Sequence, residues 1–458
     1  MSKKLSSIMG SFFRNNNNDK EVTDAEPVSS AAETEEEYQL RRKAVIKAEK
    51  KIERAAAARR RELVCSQDVS IESIHGGQAF RTEVNAAEDT ASDERLLQML
   101  RDRIGKAYIP DTHITAGEFS FFRNRFNGHR DIDKSTGSLI DMYIDWLFFC
   151  KDLGYDMDDY FDYEFYEKDH DERLSFVSAS FRDNIRRHLD PEPGILQRKA
   201  DFLKYFSGYI KRDWLDCSEC SEYGFISFAK RHPVFFCKAE KGFGAEGLQK
   251  LSPSEDELAA LYEDCRARRC VIEEPIVQHA SLSRFNPDTV NSVRVVTIAD
   301  AEDRIVIANA SMRFGRRCCF ADNYHQGGLV AKIDPDKGVI TGDAIDRSGA
   351  HFAAHPDTGE VFNGSLIPFW DKVRNEVAAA ALSCRDKDRS VGWDLTVTED
   401  GEVDFIEGNS RPGFAVLQAP DMQGLRERYV KILSGLVSEE ELMDAGRGYW
   451  RKWKLNID

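Results

Sequence analysis

Apolar positions change their period along the chain. Between about 93 and 215 they recur at helical spacing and many are aromatic. Ser138-Leu-Ile-Asp-Met-Tyr-Ile-Asp-Trp-Leu-Phe-Phe149 is amphipathic with a helical period. Tyr160, Phe161, Tyr163, Phe165 and Tyr166 follow, then Phe176, Phe181 and Ile185. This predicts a helical layer around an aromatic core. After about 225 the apolar residues form short runs bounded by turn residues, the signature of strands. His232–Cys237 and Cys270–Ile272 are two such runs. Ser292–Ile298 and Arg304–Ala308 flank a turn at Asp300–Asp303 and predict a strand pair. Leu395–Thr398, the turn Glu399-Asp-Gly401 and Val403–Ile406 predict a hairpin. Helices are expected at 254–267, 369–383 and 421–436, with no repeat at a solenoid period. The class is α/β, of the α+β kind.

The first 92 residues read differently. Residues 1–32 are small and polar and predict disorder. In 33–63, Glu33 and Glu35–Glu37 come first, and Arg41, Arg42, Lys43, Lys47, Lys50, Lys51, Arg54 and Arg59–Arg61 follow. Acid before base suits a helix dipole, and Ala55–Ala58 favours helix. Leu40, Ile46, Ile52 and Leu63 make too thin a stripe for a coiled coil. The segment reads as a solvated helix, with docking of a protein partner as the alternative. Residues 64–92 read as a polar linker, and Trp450 and Trp453 as packing anchors.

Charge narrows the function classes. The 458 residues carry 64 basic and 80 acidic side chains, a net charge of −16. Nucleic acid is a poor partner for such a chain, and an anionic membrane exerts no attraction. No stretch is apolar enough for a membrane span. The start, MSKKLSSIMG, has no apolar core of a secretory signal, and Ser2 stands where myristoylation needs glycine. The ten cysteines read as reduced thiols of a cytoplasmic protein. Cys217-Ser-Glu-Cys220 is a lone CxxC without a second pair at zinc spacing, so thiols are preferred to a metal.

Three segments carry chemistry. Lys238-Ala-Glu-Lys-Gly-Phe-Gly-Ala-Glu-Gly247 contains G-x-G-x-x-G at Gly242, Gly244 and Gly247. No crossover helix opens at these glycines, so an oxidoreductase with a dinucleotide fold is disfavoured. A strand ending in Lys238, a glycine loop and a returning strand would cradle phosphate. In Cys270-Val-Ile-Glu-Glu-Pro-Ile-Val-Gln-His279 a strand runs into an acidic hinge at Glu273 and Glu274, fit for adenine on its backbone and sugar on its side chains. Third, Gly392-Trp-Asp394 precedes the hairpin whose second strand continues as Glu407-Gly-Asn409-Ser-Arg-Pro-Gly413. Glu407 and Asn409 are two apart and share a face, and the hairpin sets Asp394 beside them. Two carboxylates and an amide suit Mg²⁺ shared with substrate phosphates.

Lys238, the glycine loop, the Glu273/Glu274 hinge, Asp394 and E-x-N-x-x-P-G at 407–413 together resemble the ATP-grasp superfamily. Tyr160-Phe-Asp-Tyr163, Asn291-Ser-Val-Arg-Val-Val-Thr297, Asp322-Asn323 with Gly327-Gly328, and Ile406-Glu-Gly-Asn409 narrow the resemblance to its sugar-transfer-associated family, over roughly 155–435. The resemblance implies an ATP-grasp fold behind a helical N-terminal region and tail. With the tail and linker read above at 1–92 and the helices at 93–215, it puts the module at 216–458, with a lid at about 225–290 and a metal-binding part at about 291–458. Lys199 and Lys238 would contact ATP phosphates, and Gly242, Gly244 and Gly247 would form the lid loop. Glu273, Glu274 and Ile276 would hold adenine, with Gln278 close to the nucleotide. Asp394, Glu407 and Asn409 would bind two Mg²⁺, with Mn²⁺ as a substitute. Arg294, Arg313 and Arg411 would act on the transferred phosphate or a substrate carboxylate. His279, Asn291 and Asn323 are candidate substrate contacts, with purely structural roles as the alternative. Two departures stand out. Lys199 follows Arg198, where the family usually has Asp. Position 392 is Gly, where the ligases carry Arg, so Arg294 or Arg313 must replace that charge. The implied activity is a carboxylate–amine or carboxylate–hydroxyl ligase working on a small molecule or glycan through an acyl phosphate. A phosphotransferase and a non-catalytic nucleotide-binding scaffold are the alternatives.

Overall fold

The computed structural model describes residues 95–96, 98–99, 116–130, 132–150, 153–190, 194–240, 248–317 and 321–443. The charged segment 33–63, Gly242, Gly244, Gly247, Trp450 and Trp453 lie outside them. By internal contacts the chain divides into 1–70 and 71–458, and every described residue belongs to the second unit.

The aromatic stretch folds into short helices: α1 (Ala116–Gly128), α2 (Thr136–Asp145), α3 (Met157–Asp162) and α4 (Ala179–Leu189). Ser135 caps α2 by accepting from the Ser138 amide at 3.2 Å. The helix expected to reach Phe149 changes at Trp146–Cys150 to a π turn. Phe122 sits among Tyr143, Tyr160 and Phe161, with ring centroids 5.1, 5.7 and 4.9 Å away.

After α5 (Lys199–Tyr205) the chain builds a small layered unit. It runs β1 (Trp214–Asp216), α6 (Glu222–Arg231), β2 (Phe235–Lys238), β3 (Leu248–Leu251), α7 (Leu258–Ala267) and β4 (Val271–Glu273). Its four strands pair antiparallel in the order β1-β4-β2-β3. Phe225, Phe228, Leu258 and Tyr262 from the two helices cover Phe235 and Ile272.

The larger sheet has seven antiparallel strands ordered β11-β10-β5-β6-β7-β8-β9. They are β5 (Val293–Ala299), β6 (Ile305–Phe314), β7 (Leu329–Asp334), β8 (Val339–Ile345), β9 (His351–Phe352), β10 (Ser390–Val397) and β11 (Val403–Asn409). The turn between β5 and β6 is made by Asp300, whose carboxylate accepts from the amides of Glu302 and Arg304 at 3.0 and 2.9 Å. Helix α8 (Trp370–Cys384) precedes β10, and α9 (Arg426–Leu433) follows β11. The strands β7 to β9 go beyond the sequence reading. In β8, Gly342 with a φ of +80° interrupts the apolar alternation.

Alternation sorts the side chains of this sheet between two cores. Val293, Val295, Ala310, Met312, Trp393 and Leu395 face α8 and α5. Val296, Ile298 and Ala308 face the aromatic helices together with Leu417, Tyr429 and Leu433. The N-terminal helical layer therefore shares a core with the sheet and does not form a separate body across residue 215.

Gly408 lets α5 approach β11. A Cβ there would stand 2.8 Å from Leu196 Cδ2 and 3.0 Å from Phe202 Cε2. Gly408→Val should lower stability by about 1–3 kcal/mol through overpacking, measured by urea denaturation.

Candidate active site

One extra residue in β11 creates the site. Val397 pairs with Val403 and Leu395 with Phe405, but Asp394 then pairs with Glu407 and Gly392 with Asn409. Ile406 is the bulged residue. Phe405 points into the apolar core, and in a regular strand Glu407, two residues on, would follow it there. The bulge turns Glu407 and Asn409 onto the face of Asp394. On its other side Asp394 pairs with Arg294 of β5, which pairs with Ser311 of β6. Arg313 is two residues further along β6. Four adjacent strands thus present Glu407, Asn409, Asp394, Arg294 and Arg313 on one face.

Asp394 is fully buried, at 0% exposure. Arg294 grips both its oxygens, with its Nη2 at 2.8 Å from Oδ2. Arg313 Nη2 lies 3.0 Å from the same oxygen. Burial opposes ionisation of Asp394, but Arg294 and then Arg313 outweigh it and hold the carboxyl well below the usual range. Arg313 also donates to Ser292 Oγ at 3.0 and 2.7 Å and lies 3.7 Å from Asp322. Burial works against its charge too, yet Asp322, Asp394 and Glu407 keep it firmly protonated. Glu407 shifts the opposite way: burial and then the neighbouring Asp394 push its pKa up. The Asn409 amide nitrogen lies 3.5 Å from Asp394 and 3.4 Å from Glu407. Two carboxylates and an amide are a hard-oxygen donor set, and a divalent cation would relieve the repulsion that raises Glu407. The residues fit such a cation, with Asn409 offering its oxygen once its amide is turned.

Gly392 explains the missing arginine. A Cβ at this position would meet Pro412 Cβ at 2.7 Å and Arg294 Cδ at 3.5 Å. No side chain fits there, and the Arg294 side chain from the neighbouring strand passes alongside.

A second charge cluster lies on the small sheet. Glu273 of β4 is buried and accepts from Lys238 Nζ of β2 at 2.7 Å and from Arg212 Nε at 2.7 Å. Burial alone would raise Glu273, but Arg212 and then Lys238 pull it down to about 2. Arg212 also reaches Asp404 Oδ1 at 2.7 Å, the Phe405 carbonyl at 2.9 Å and the Ile406 carbonyl at 3.3 Å. It therefore joins the small sheet to the bulge. Nothing local in the sequence marks Arg212, because its partner Asp404 is 192 residues away.

Residues 247–433 match the model of the family described as sugar-transfer associated ATP-grasp. This segment is an ATP-grasp module. No curated protein matches the chain. Among solved structures it is similar to an N5-carboxyaminoimidazole synthetase from Staphylococcus aureus complexed with ADP, at 11% identity and a TM-score of 0.31, over 48% of this chain and 46% of that one. The biotin carboxylase domain of a Hydrogenobacter thermophilus 2-oxoglutarate carboxylase is matched at 14% identity and a TM-score of 0.33, over 54% and 48%. D-alanyl-alanine synthetase A from Vibrio cholerae is matched at 12% identity and a TM-score of 0.33, over 55% and 64%. The chain spans about half the length of the first two.

Within the ATP-grasp module several sequence candidates are occupied by structural bonds. Gln278 and Asn291 tie to each other: the Gln278 amide donates to the Asn291 carbonyl at 2.6 Å and its oxygen accepts from the Asn291 amide at 3.1 Å. Asn291 also donates to the carbonyls of Leu282 and Asn286 at 3.1 and 3.0 Å. Both are buried, and these bonds tie the loop before β5. The Glu273 carboxylate is held by Arg212 and Lys238. Glu274 pairs with His232 at 3.2 Å, and its amide donates to the Asp213 carbonyl at 2.9 Å. His279 accepts from the Ser281 amide at 3.2 Å and caps the short helix Ala280–Ser283. Asn323 accepts from the His325 amide at 2.9 Å. Arg411 is exposed and pairs with Asp183 of α4. Lys199 opens α5, and Ile276 is half-buried beyond β4.

The depressed Glu273 gives a pH signature. Its contribution to stability is complete above the ordinary glutamate range, about 4.3, and is lost as pH falls towards about 2. Acid unfolding followed by circular dichroism should therefore be steeper in this window for the native chain than for Glu273→Gln.

Proposed function

We propose that the chain is an ATP- and Mg²⁺-dependent ligase that activates a carboxylate as an acyl phosphate. The observation that carries this reading is the single face bearing Asp394, Glu407 and Asn409 beside two arginines. A substrate carboxylate oxygen bonds to the γ-phosphorus of ATP while the bond to the β,γ-bridging oxygen breaks, releasing ADP. An amine or hydroxyl then attacks the acyl carbon, gives up its proton, and phosphate departs. Asp394, Glu407 and Asn409 would hold Mg²⁺, two ions in the full site, which supplies charge neutralisation when bound. Arg294 and Arg313 sit where they would offset charge on the phosphoryl group in transfer. Lys238 would turn from Glu273 towards the phosphates, and Gly242, Gly244 and Gly247 would cover them. In this reading the lid comprises about 225–290 and the metal-binding part about 291–458. The sugar-transfer association of the matched family supports a saccharide as carrier of the carboxylate or acceptor. The reduced cysteines read from the sequence favour a cytoplasmic location.

The test is turnover of Mg²⁺-ATP against panels of carboxylates and amines, with free phosphate and product mass as readouts. Glu407→Gln should lower turnover at least about 10²-fold with an unchanged circular dichroism spectrum, and Arg294→Lys about 10²–10³-fold. Full activity in Glu407→Gln would sink the metal assignment. Phosphate retained on the acceptor, rather than released, would make the protein a phosphotransferase. Lys238→Ala should weaken ATP binding about ten- to a hundredfold, measured by calorimetry.

A further inference from the structure

Four of the eleven buried core residues of the small sheet unit are cysteines: Cys217, Cys237, Cys265 and Cys270. They come from four separate places. Cys217 follows β1, Cys237 lies on β2, Cys265 is in the last turn of α7, and Cys270 immediately precedes β4. All four are at 0% exposure. The backbone is shaped to gather them. Arg269 adopts a left-handed φ of 55°, which folds the end of α7 back so that the Cys270 amide donates to the Cys265 carbonyl at 2.8 Å. The Cys217 amide in turn donates to the Cys270 carbonyl at 2.9 Å.

The sulfurs converge. Those of Cys237, Cys265 and Cys270 lie within 4.8 Å of one another, with Cys237 and Cys265 at 3.7 Å. Cys217, also fully buried, hydrogen-bonds the Cys265 thiol. A tetrahedral zinc with bonds of about 2.3 Å sets its sulfurs about 3.8 Å apart. The Cys237–Cys265 separation already meets that spacing; Cys270 lies within 4.8 Å of both, and Cys217 has to move inward to complete the set. Arg268 Nη2 stands 3.6 Å from Cys237 Sγ, where it would offset the negative charge of a zinc–thiolate centre.

We propose that Cys237, Cys265 and Cys270, with Cys217 as the fourth ligand, form a structural Zn²⁺ site. Soft thiolates select zinc over the hard ions suited to Asp394, Glu407 and Asn409. The reason for a staple is size: a unit running only from β1 to β4 has too small a core to be firmly stable by packing alone. The metal would join β1, β2 and β4 to α7. It would also fix β2 and β4, the strands that carry Lys238 and Glu273. This inference does not depend on the ligase reading.

The full chain, expressed with added Zn²⁺ and purified under reducing conditions, should contain about one zinc per chain by plasma mass spectrometry. Replacement by Co²⁺ should give the intense near-ultraviolet band of cobalt–thiolate bonds. Cys265→Ser and Cys270→Ser should lose the metal, whereas Cys220→Ser and Cys384→Ser should retain it. Should the first pair not fold, thiol titration of the native chain decides the matter: four thiols protected by Zn²⁺ and released by a chelator support the site. Absence of zinc together with no cobalt–thiolate band overturns the proposal, as does an intact mass showing these cysteines joined as disulfides.

Discussion

A carboxylate at zero exposure cannot remain ionised by itself, since desolvation costs several kcal/mol. Asp394 remains so only because guanidinium groups from two neighbouring strands share its oxygens. That requirement fixes the register of β5, β6 and β10 against one another, because a slip by one residue would place a charge in the apolar layer behind the sheet. Glu407 is then defined by difference. It stands beside a carboxylate already satisfied by arginine, makes no ion pair of its own among the described residues, and is thereby the group most in need of a cation.

Much of this was readable in the residues. The hairpin at 395–406, the strand at 292–298 and the three chemistry-bearing segments were each announced by a local pattern, and the structure draws Asp394, Glu407 and Asn409 together. The bulge at Ile406 was not. Phe405 and Glu407 have the same parity, so simple alternation puts the acid in the core, and only the pairing with β10 shows the extra residue. Arg294 in place of an arginine at 392 is likewise a cross-strand fact, decided by Pro412 filling the space above Gly392. Gln278 and Glu273 are polar residues beside a hinge, and spacing rules do not reveal their distant partners: Arg212 lies 61 residues before Glu273 and Thr396 118 after Gln278.

The cysteines show the same limit in another form. Zinc spacing rules look for close pairs on knuckles, and Cys217 and Cys220 were the pair in view. The convergent set is Cys237, Cys265 and Cys270, delivered by a strand, a helix end and a left-handed turn. The helical layer was legible as a layer, yet its attachment was not. Helix α4 supplies Asp183 to Arg411, and Arg186 to Ser410, so the loop after β11 is pinned from the N-terminal side.

β11 is an edge strand, and edge carbonyls normally invite another chain. Here Arg212 occupies those of Phe405 and Ile406 while its remaining nitrogen holds Glu273. One side chain is therefore both a seal against strand addition and an axle between two sheets. A rotation of the small sheet about that axle would swing Lys238 through an arc while leaving Glu273 at a fixed radius from the bulge. In such a rotation Lys238 travels without disturbing the position of Glu407.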